Sequence, residues 1–325
     1  MTVELSNADA EDILSAEEAA GELARLTENV EKVFLGKEQV VRWTIASAVA
    51  QGHVLLEDVP GVGKTTLALA MASSLGLEFQ RIQFTSDLLP GDILGVSTYS
   101  TKSGEFTFRP GPIFSGLVLA DEINRTTPRT QSALLEAMSE GSVSVDDETR
   151  PLPDPFLVIA TQNPLDHHGT YPLPESQLDR FMLRLSIGYP GTDVERSILL
   201  SRRFSEPVSH LQPVMDATRL RVLQRTAAEV RLDESVADYI LKVVEATRED
   251  SRVRIGISTR GALAVVRAVR AIALMEGRNY VIPDDAREMF IPCLSHRLSL
   301  QSGHQDRAAA EAIIETIVSE IEIPV

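Results

Sequence analysis

The sequence has few of the features expected of an exported, disulfide-bonded or membrane protein. Cys293 is the one cysteine among 325 residues, which excludes an internal disulfide bond and is typical of a reducing compartment. The first twenty residues are acidic and lack the basic and apolar segments of a secretion signal. No apolar run approaches the length of a membrane span. These absences predict a cytoplasmic protein without membrane insertion.

Positive charge is scarce as well. The chain carries 31 Lys and Arg against 47 Asp and Glu, which gives a formal net charge of −16. Broad binding to nucleic acid depends on Lys and Arg side chains that face phosphates, so this balance argues against such binding. We expect no nucleic-acid partner, although the composition is compatible with a local basic patch.

The rest of the composition is typical of a globular protein of two domains. Hydrophobic residues make up 43% and charged residues 24%, and the length is sufficient for two cores. Short apolar segments alternate with helical patterns up to about residue 190, and only helical patterns follow. This order predicts a parallel sheet covered by helices on both faces, followed by an all-α domain. We place the boundary between Tyr189 and Thr192, which gives domains of residues 1–190 and 191–325.

Periodic apolar residues predict the helices. Between Leu23 and Ala50 they are interrupted at Gly36, which predicts two helices there. In the C-terminal part, one amphipathic helix follows Asp233 as a capping residue, and another opens at Pro283 with Cys293 in its buried face. A third is marked by four apolar residues, Leu263, Val266, Val269 and Ile272.

Short apolar or alternating segments predict the strands. They are expected at residues 53–57, 79–84, 117–120, 156–160 and 183–187. Two hairpins are expected, at residues 96–108 and 141–153. Further helices are expected at residues 64–75 and 127–139, and a short one at residues 174–181.

The segment EDVPGVGKTT, residues 57–66, is the strongest chemical signal. A phosphate-binding loop usually reads G-x-x-x-x-G-K-[ST], and Asp58 stands where its first glycine belongs. Backbone N–H groups, the helix N-terminus and the lysine charge do the binding, so the loop can still hold phosphates if the carboxylate points away from them. The alternative to a phosphate-binding loop is an ordinary strand-to-helix turn without a ligand. We expect nucleotide contacts from Asp58, Val59, Pro60, Gly61, Val62, Gly63, Lys64, Thr65 and Thr66.

Asp121 and Glu122 follow an apolar strand about fifty residues after the loop. In that position Asp121, together with the Thr65 hydroxyl, is expected to hold Mg²⁺, and Glu122 to activate an attacking water. Acidic pairs also end strands as plain turn residues. The pair becomes informative because the phosphate loop precedes it.

Asn163 ends a further apolar strand. Its amide is expected to orient the attacking water, since ligands bind at the carboxyl ends of the strands in such sheets. The alternative is an Asn that starts a turn before Pro164.

Four segments together resemble the MoxR branch of the AAA+ ATPases: PGVGKT, LVLADEINR, ATQNP and GTYPLPESQLDRF. The resemblance runs from about Gly36 to the C-terminus, and Asp58 is a variant known in that branch. It implies a P-loop NTPase core, a C-terminal helical lid, the cofactors ATP and Mg²⁺, and a homo-oligomeric ring, expected to be hexameric. The hairpin expected at residues 96–108 resembles the insertion in helix 2 that marks the clade to which the MoxR branch belongs. The hairpin expected at residues 141–153 resembles the hairpin that precedes the sensor strand in these proteins.

The resemblance also implies roles for two arginines. Arg180 matches the arginine finger that reaches a neighbouring subunit's nucleotide, and Arg260 matches the sensor arginine of the lid, in cis or in trans. Thr259 departs from the usual Ser-Pro-Arg pattern. The alternatives are a cation at a helix C-terminus for Arg180 and a surface charge for Arg260.

The resemblance finally implies a chaperone-like ATPase. ATP hydrolysis would remodel or activate partner proteins, which in MoxR relatives often carry von Willebrand factor A domains. A DNA-dependent motor and the ATPase subunit of a metal chelatase share the same core and remain alternatives, as does a scaffold that binds ATP without turnover.

Overall fold

The structure, a computed structural model, describes residues 13–101, 104–164, 169–201, 207–303 and 306–324. Among these residues, no helix is both long and apolar enough to cross a membrane.

All but two of the described strands lie in the part of the sequence where short apolar segments alternate with helical patterns. In the described part of the chain they are β1 (Val54–Glu57), β2 (Phe79–Gln83), β3 (Gly95–Ser100), β4 (Glu105–Pro110), β5 (Leu117–Asp121), β6 (Ser142–Val145), β7 (Glu148–Pro151), β8 (Leu157–Gln162), β9 (Leu183–Leu185), β10 (Val253–Ile255) and β11 (Ser299–Leu300).

The helices are distributed along the whole described chain. They are α1 (Ala16–Glu31), α2 (Glu38–Val49), α3 (Lys64–Leu75), α4 (Pro90–Leu94), α5 (Pro128–Glu140), α6 (Glu175–Leu178), α7 (Thr192–Ser201), α8 (Ala217–Ala228), α9 (Glu234–Glu249), α10 (Thr259–Met275), α11 (Pro283–Leu294) and α12 (Arg307–Glu320).

Five strands form one parallel sheet in the order β2-β5-β8-β1-β9. All five were predicted from the sequence, and their parallel pairing confirms the predicted sheet. Because all five run the same way, the residues that follow β1, β5 and β8 meet at one edge of the sheet. The residues that precede β1 and β9 meet at the opposite edge.

The sheet separates two hydrophobic clusters. Leu117 and Leu119 face a cluster with α1, α2, α3 and the C-terminal helices, whereas Val118 and Ala120 face a cluster with α5 and α6. All four side chains are fully buried. Each buried Leu stabilises the fold by about 1.5–3 kcal/mol. Because β5 contributes buried side chains to both clusters, it is a central element of the fold. This layering confirms the predicted αβα core.

The two predicted hairpins are present as separate two-stranded sheets, β3 with β4 and β6 with β7. The two hairpins are in contact: the guanidinium of Arg150 on β7 stands 4.1 Å from the ring centroid of Phe108 on β4. Tyr99 and Phe106 pair across the first hairpin with their ring centroids 5.3 Å apart, and both remain exposed. The first hairpin therefore presents aromatic surface to the outside.

The C-terminal part is helical as predicted, with one addition and one correction. The antiparallel pair of β10 and β11 had no sequence signal. The predicted apolar stripe of α10 is partly wrong: Leu263 is 58% exposed, and Val265 is fully buried in its place. Outside the C-terminal part, the helix predicted at residues 174–181 is shorter than expected, since α6 ends at Leu178.

Helices α1 and α2 pack against α10 as well as against each other. One hydrophobic cluster therefore extends across the predicted domain boundary. The division into residues 1–190 and 191–325 stays a prediction. Cys293 lies in this cluster, fully buried, and burial raises the pKa of its thiol to about 12, which confirms its predicted place in the core.

Candidate active site

The predicted phosphate loop joins β1 to α3. Gly61 and Gly63 have φ angles of +85° and +99°, a region that side chains other than glycine rarely adopt. A Cβ atom added to Gly61 would meet no atom within 4 Å, so the loop is open on that side. The N-terminus of α3 begins directly at Lys64. This arrangement fits a triphosphate, because exposed backbone N–H groups and a helix N-terminus favour anions.

Lys64 folds back over the loop. Its Nζ donates to the carbonyl oxygens of Asp58 at 2.5 Å and Val59 at 3.1 Å. Burial lowers the pKa of Lys64, opposed by the nearby carboxylates of Asp58, Asp121 and Glu122. The lysine is therefore held beside the loop and close to the predicted acidic pair.

The Asp58 carboxylate accepts four hydrogen bonds, three of them from the segment that follows β9. Its Oδ2 accepts hydrogen bonds from the N–H groups of Ile187 (2.7 Å) and Gly188 (2.6 Å) and from the hydroxyl of Ser186 (2.8 Å), while Oδ1 accepts the N–H of Val59 (2.8 Å). Burial raises the pKa of Asp58, but these hydrogen bonds outweigh it and hold the pKa below its usual value. The carboxylate thus binds the segment that follows β9, and Asp58 does not adopt a left-handed backbone.

Asp121 lies at the carboxyl end of β5, and both of its oxygens have partners. Oδ1 accepts the hydroxyl of Thr161 on the neighbouring strand β8 at 2.6 Å. Oδ2 accepts from Arg81 on β2, at 2.6 Å from Nη2 and 3.0 Å from Nε. The predicted metal-binding carboxylate is therefore fixed between its two neighbouring strands.

Glu122 follows with a φ angle of +57°, which is uncommon for a residue with a side chain. Its N–H donates to the hydroxyl of Thr161 at 2.9 Å, and this bond holds the turn. Its carboxylate accepts from Gln83 on β2 at 3.1 Å and lies 3.2 Å from Nε of Arg125. Backbone strain of this kind is concentrated at functional sites.

Asn163 is buried just after β8, the strand between β5 and β1. Lys64, Asp121, Glu122 and Asn163 therefore lie at the same edge of the sheet. Among the residues that the structure describes, no group of three or more His, Cys, Asp or Glu side chains could hold a metal. Nucleotide-bound Mg²⁺ needs only one or two carboxylates besides phosphate oxygens, so Asp121 with the Thr65 hydroxyl fits that ion.

Arg180 and Arg260 lie at the opposite edge, where β1 and β9 begin. The N–H of Met182 donates to the carbonyl oxygen of His53 at 2.8 Å, which aligns the two strand starts. Arg180 donates to the carbonyl oxygen of Leu135 at 2.6 Å and to the hydroxyl of Ser139. The structure therefore brings these two arginines together but separates them from Lys64 of the same chain.

Both arginines line one cavity of about 190 Å³. Arg260 lies 3.7 Å from the carboxylate of Asp179, and Arg267 and Arg297 line the same cavity. Arg297 is bound to Asp179 at 2.8 Å. Four arginines but only one carboxylate, that of Asp179, line this cavity, which makes it a strongly positive region on an acidic protein.

Comparisons with known proteins agree with this geometry. Residues 53–183 match the model of the ATPase family associated with various cellular activities (AAA), and residues 245–317 match the AAA lid domain. The chain is 49% identical to the Bacillus subtilis protein YeaC, over 93% of this chain and 95% of that protein. It is 39% identical to Chaperone MoxR1 of Mycobacterium tuberculosis, over 93% of this chain and 82% of that protein. A crystal structure of a Cytophaga hutchinsonii protein superimposes with a TM-score of 0.85 at 35% identity, covering 95% of this chain and 97% of that chain.

The chain belongs to the MoxR family of AAA+ ATPases. Its parallel sheet is the AAA core of this family, and its C-terminal helices are the lid.

Two residues of this MoxR-family site were missed by sequence reasoning. Arg81 and Thr161 bind the predicted acidic pair from neighbouring strands, but neither belongs to a local motif. Thr161 stands two residues before Asn163, and its position at a strand end was the one available signal. Arg81 gave none, because an arginine in an alternating strand is most often a solvated residue.

His53 immediately precedes β1 and lines the arginine-rich cavity. Its Nδ1 accepts the N–H of Val158 at 3.1 Å, so its Nε2, 3.2 Å from the carbonyl oxygen of Met138, carries the proton and donates. Burial lowers the pKa of His53 to about 4, and the ring is neutral at pH 7. These bonds give His53 a structural role in this protein.

Proposed function

We propose that this protein hydrolyses ATP with Mg²⁺ at the interfaces of a hexameric homo-oligomeric ring in the cytoplasm. One observation carries the proposal. Lys64 and the acidic pair lie at one edge of the sheet, whereas Arg180 and Arg260 lie at the other. A complete site therefore needs two subunits, and a closed ring supplies such a pair at every interface.

At the first edge, Lys64 would bind the β- and γ-phosphates, while the loop N–H groups hold the rest of the triphosphate. Thr65 and Asp121 would hold the ion, which neutralises phosphate charge when bound. Glu122 would take the proton from the attacking water, and Asn163 would orient that water.

From the second edge, Arg180 and Arg260 would reach the nucleotide of the neighbouring subunit. This assigns Arg260 a role in trans, which the sequence left open. Arg180 must first release the carbonyl oxygen of Leu135, to which it is bound. Assembly would then both place and free the finger.

ATPase assays of the wild type and of Glu122→Gln test the chemistry. We expect the variant to bind ATP as well as the wild type but to turn over roughly 100-fold or more slowly, because general-base catalysis typically contributes that much. Equal rates would show that Glu122 is not the base.

We further propose that the cycle remodels or activates partner proteins that carry von Willebrand factor A domains. The name of the relative Chaperone MoxR1 and the exposed aromatic pair Tyr99 and Phe106 on the first hairpin support an action on partner proteins, and the von Willebrand factor A domain is the partner class that the family resemblance implies. Glu122→Gln loaded with ATP should retain such a partner in affinity capture, and Lys64→Ala should not. Capture of the same proteins by both variants would contradict a nucleotide-dependent interaction.

A further inference from the structure

The ion pair between Arg81 and Asp121 occupies the carboxylate that the proposed function assigns to the metal. The Asp121 side chain is 11% exposed and the Arg81 side chain 49%. A buried carboxylate without a partner is costly, so Arg81 compensates its charge. Because the Arg81 side chain is half exposed, its guanidinium can leave without disturbing the hydrophobic clusters.

The two carboxylate oxygens of Asp121 bind different partners. Oδ1 accepts the Thr161 hydroxyl, which also holds the N–H of Glu122, so this oxygen belongs to the scaffold of the turn. Oδ2 is bound to two nitrogens of Arg81. Oδ2 is therefore the oxygen that can be freed for a metal ion or its water shell without breaking the turn, because the donors it binds both belong to Arg81.

Arg81 is also connected to Glu122. Its Nη2 donates to Oε1 of Gln83 at 3.0 Å, and Nε2 of Gln83 donates to Glu122 at 3.1 Å. Arg81 and Gln83 stand two residues apart and thus on the same face of β2, so one strand restrains both acidic residues. Among the described residues, Gln83 forms hydrogen bonds with Arg81 and Glu122 but none with Asp121, so it can serve as a control for Arg81.

We propose that Arg81 is a resident counter-cation that the metal must displace from Asp121 when Mg²⁺ and nucleotide bind. The proposal rests on the proposed function, because it needs Asp121 to face the ion. Arg81 and Mg²⁺ compete for one oxygen, so the free energy of the ion pair is subtracted from that of metal binding. Removing Arg81 should strengthen the metal-bound complex and leave metal-free nucleotide binding unchanged.

The experiment measures the dissociation constant of a fluorescent ATP analogue for the full chain, once in EDTA and once in Mg²⁺. The ratio of the two constants is the metal gain. We expect the metal gain of Arg81→Gln to exceed that of the wild type by about 5- to 10-fold, as is typical for loss of a charged hydrogen-bonded competitor. The constant in EDTA should change less than about twofold.

Gln83→Ala is the matched control from the same face of β2. It should keep the metal gain of the wild type, because it removes no competitor from Asp121. Direct titration with Mn²⁺, followed by the electron paramagnetic resonance of the free ion, should show tighter metal binding in the nucleotide complex of Arg81→Gln. Arg81→Lys, which retains the charge but not the paired contact, should lie between wild type and Arg81→Gln, and it carries the test if the Gln variant fails to fold.

An unchanged or smaller metal gain in both Arg81 variants would overturn the proposal; a smaller gain would instead make Arg81 a residue that positions Asp121 for the metal. A wild type without any metal gain is a different result. It would refute the proposed Mg²⁺-dependent function itself.

Discussion

At the scale of single residues, Asp58 shows how a departure from a motif can be compensated. Its carboxylate satisfies N–H groups of the segment after β9 that a glycine at this position would leave unpaired. The residue therefore stabilises the connection between the phosphate loop and the segment that follows β9. Nothing in the loop pattern alone indicates this task.

We expect Asp58→Gly, which restores the usual loop pattern, to destabilise the protein by about 2–4 kcal/mol, because the N–H groups of Ile187 and Gly188 lose their acceptor. Denaturant unfolding of purified protein measures the change. Asp58→Asn keeps one acceptor oxygen and should lose less. A Gly variant as stable as the wild type would show that the carboxylate contributes no net stability.

His53 predicts a dependence of stability on pH. Its pKa is lowered to about 4 in the folded protein and is about 6.5 when unfolded, so folding excludes a proton below pH 6.5. The contribution of the neutral His53 ring to the free energy of unfolding is complete above pH 6.5 and is lost as the pH falls towards 4. The loss is about 2 kcal/mol between pH 7 and 5. His53→Gln does not titrate, so its unfolding free energy should fall by that much less over the same range. Parallel pH profiles of the two proteins would contradict the assignment.

The site residues that the sequence predicted are those in local motifs. Asp121 ends β5, Asn163 follows β8, and Lys64 begins the helix after β1, so their common edge follows from the strand directions. Arg81 and Thr161 were missed because their partners lie about forty residues away, across strand pairs whose register no local pattern specifies.

At the scale of elements, α3 was predicted with its observed bounds and α10 with a partly wrong face. Two glycines in left-handed conformation, Gly63 and Gly76, flank α3. Because glycine at a helix end is a recognisable sequence signal, both bounds could be predicted. Helix α10 packs against α1, α2, α8, α9 and α11, so its buried surface is too wide for a single stripe. The β10–β11 pair was missed because strands of three and two residues carry no period.

The corrected face of α10 gives a matched test. We expect Val265→Ala to destabilise the fold by about 2 kcal/mol, since it removes two buried methyl groups and leaves a cavity. Leu263→Ala should change stability by less than about 0.5 kcal/mol, because that side chain is mostly exposed. Thermal or chemical unfolding of both variants measures the difference. The reverse order would restore the stripe predicted from the sequence.

At the scale of the whole molecule, the alternation of strands and helices predicted the layers correctly, and the resemblance predicted the family. The boundary between the core and lid was harder to place, because α1 and α2 share one hydrophobic cluster with the C-terminal helices. That sharing depends on distant packing, which a linear pattern does not contain.

The division of the proposed site between two edges predicts complementation between inactive subunits. Arg180→Ala should lose activity by a factor on the order of 10³ to 10⁵, and Lys64→Ala should lose nucleotide binding. Mixed in equal amounts, the two variants should recover roughly a quarter of wild-type activity, because random neighbours join an intact loop to an intact finger at that frequency. ATPase assays of the mixture measure the recovery.

The wild-type protein should become nearly inactive when it is diluted to a concentration at which sedimentation shows it to be monomeric. A mixture no more active than its components, or a monomer as active per chain as the ring, would each rule out a shared site.

Cys293 has a practical consequence for observing these rearrangements. Its thiol is enclosed by α11 and its neighbours and stays protonated up to about pH 12, so maleimide dyes should leave the unmodified protein unlabelled. A cysteine introduced at an exposed site, such as Phe106 on the first hairpin, would then be the sole reactive position. Fluorescence from that one label could follow the hairpin through a nucleotide cycle without any prior removal of native cysteines.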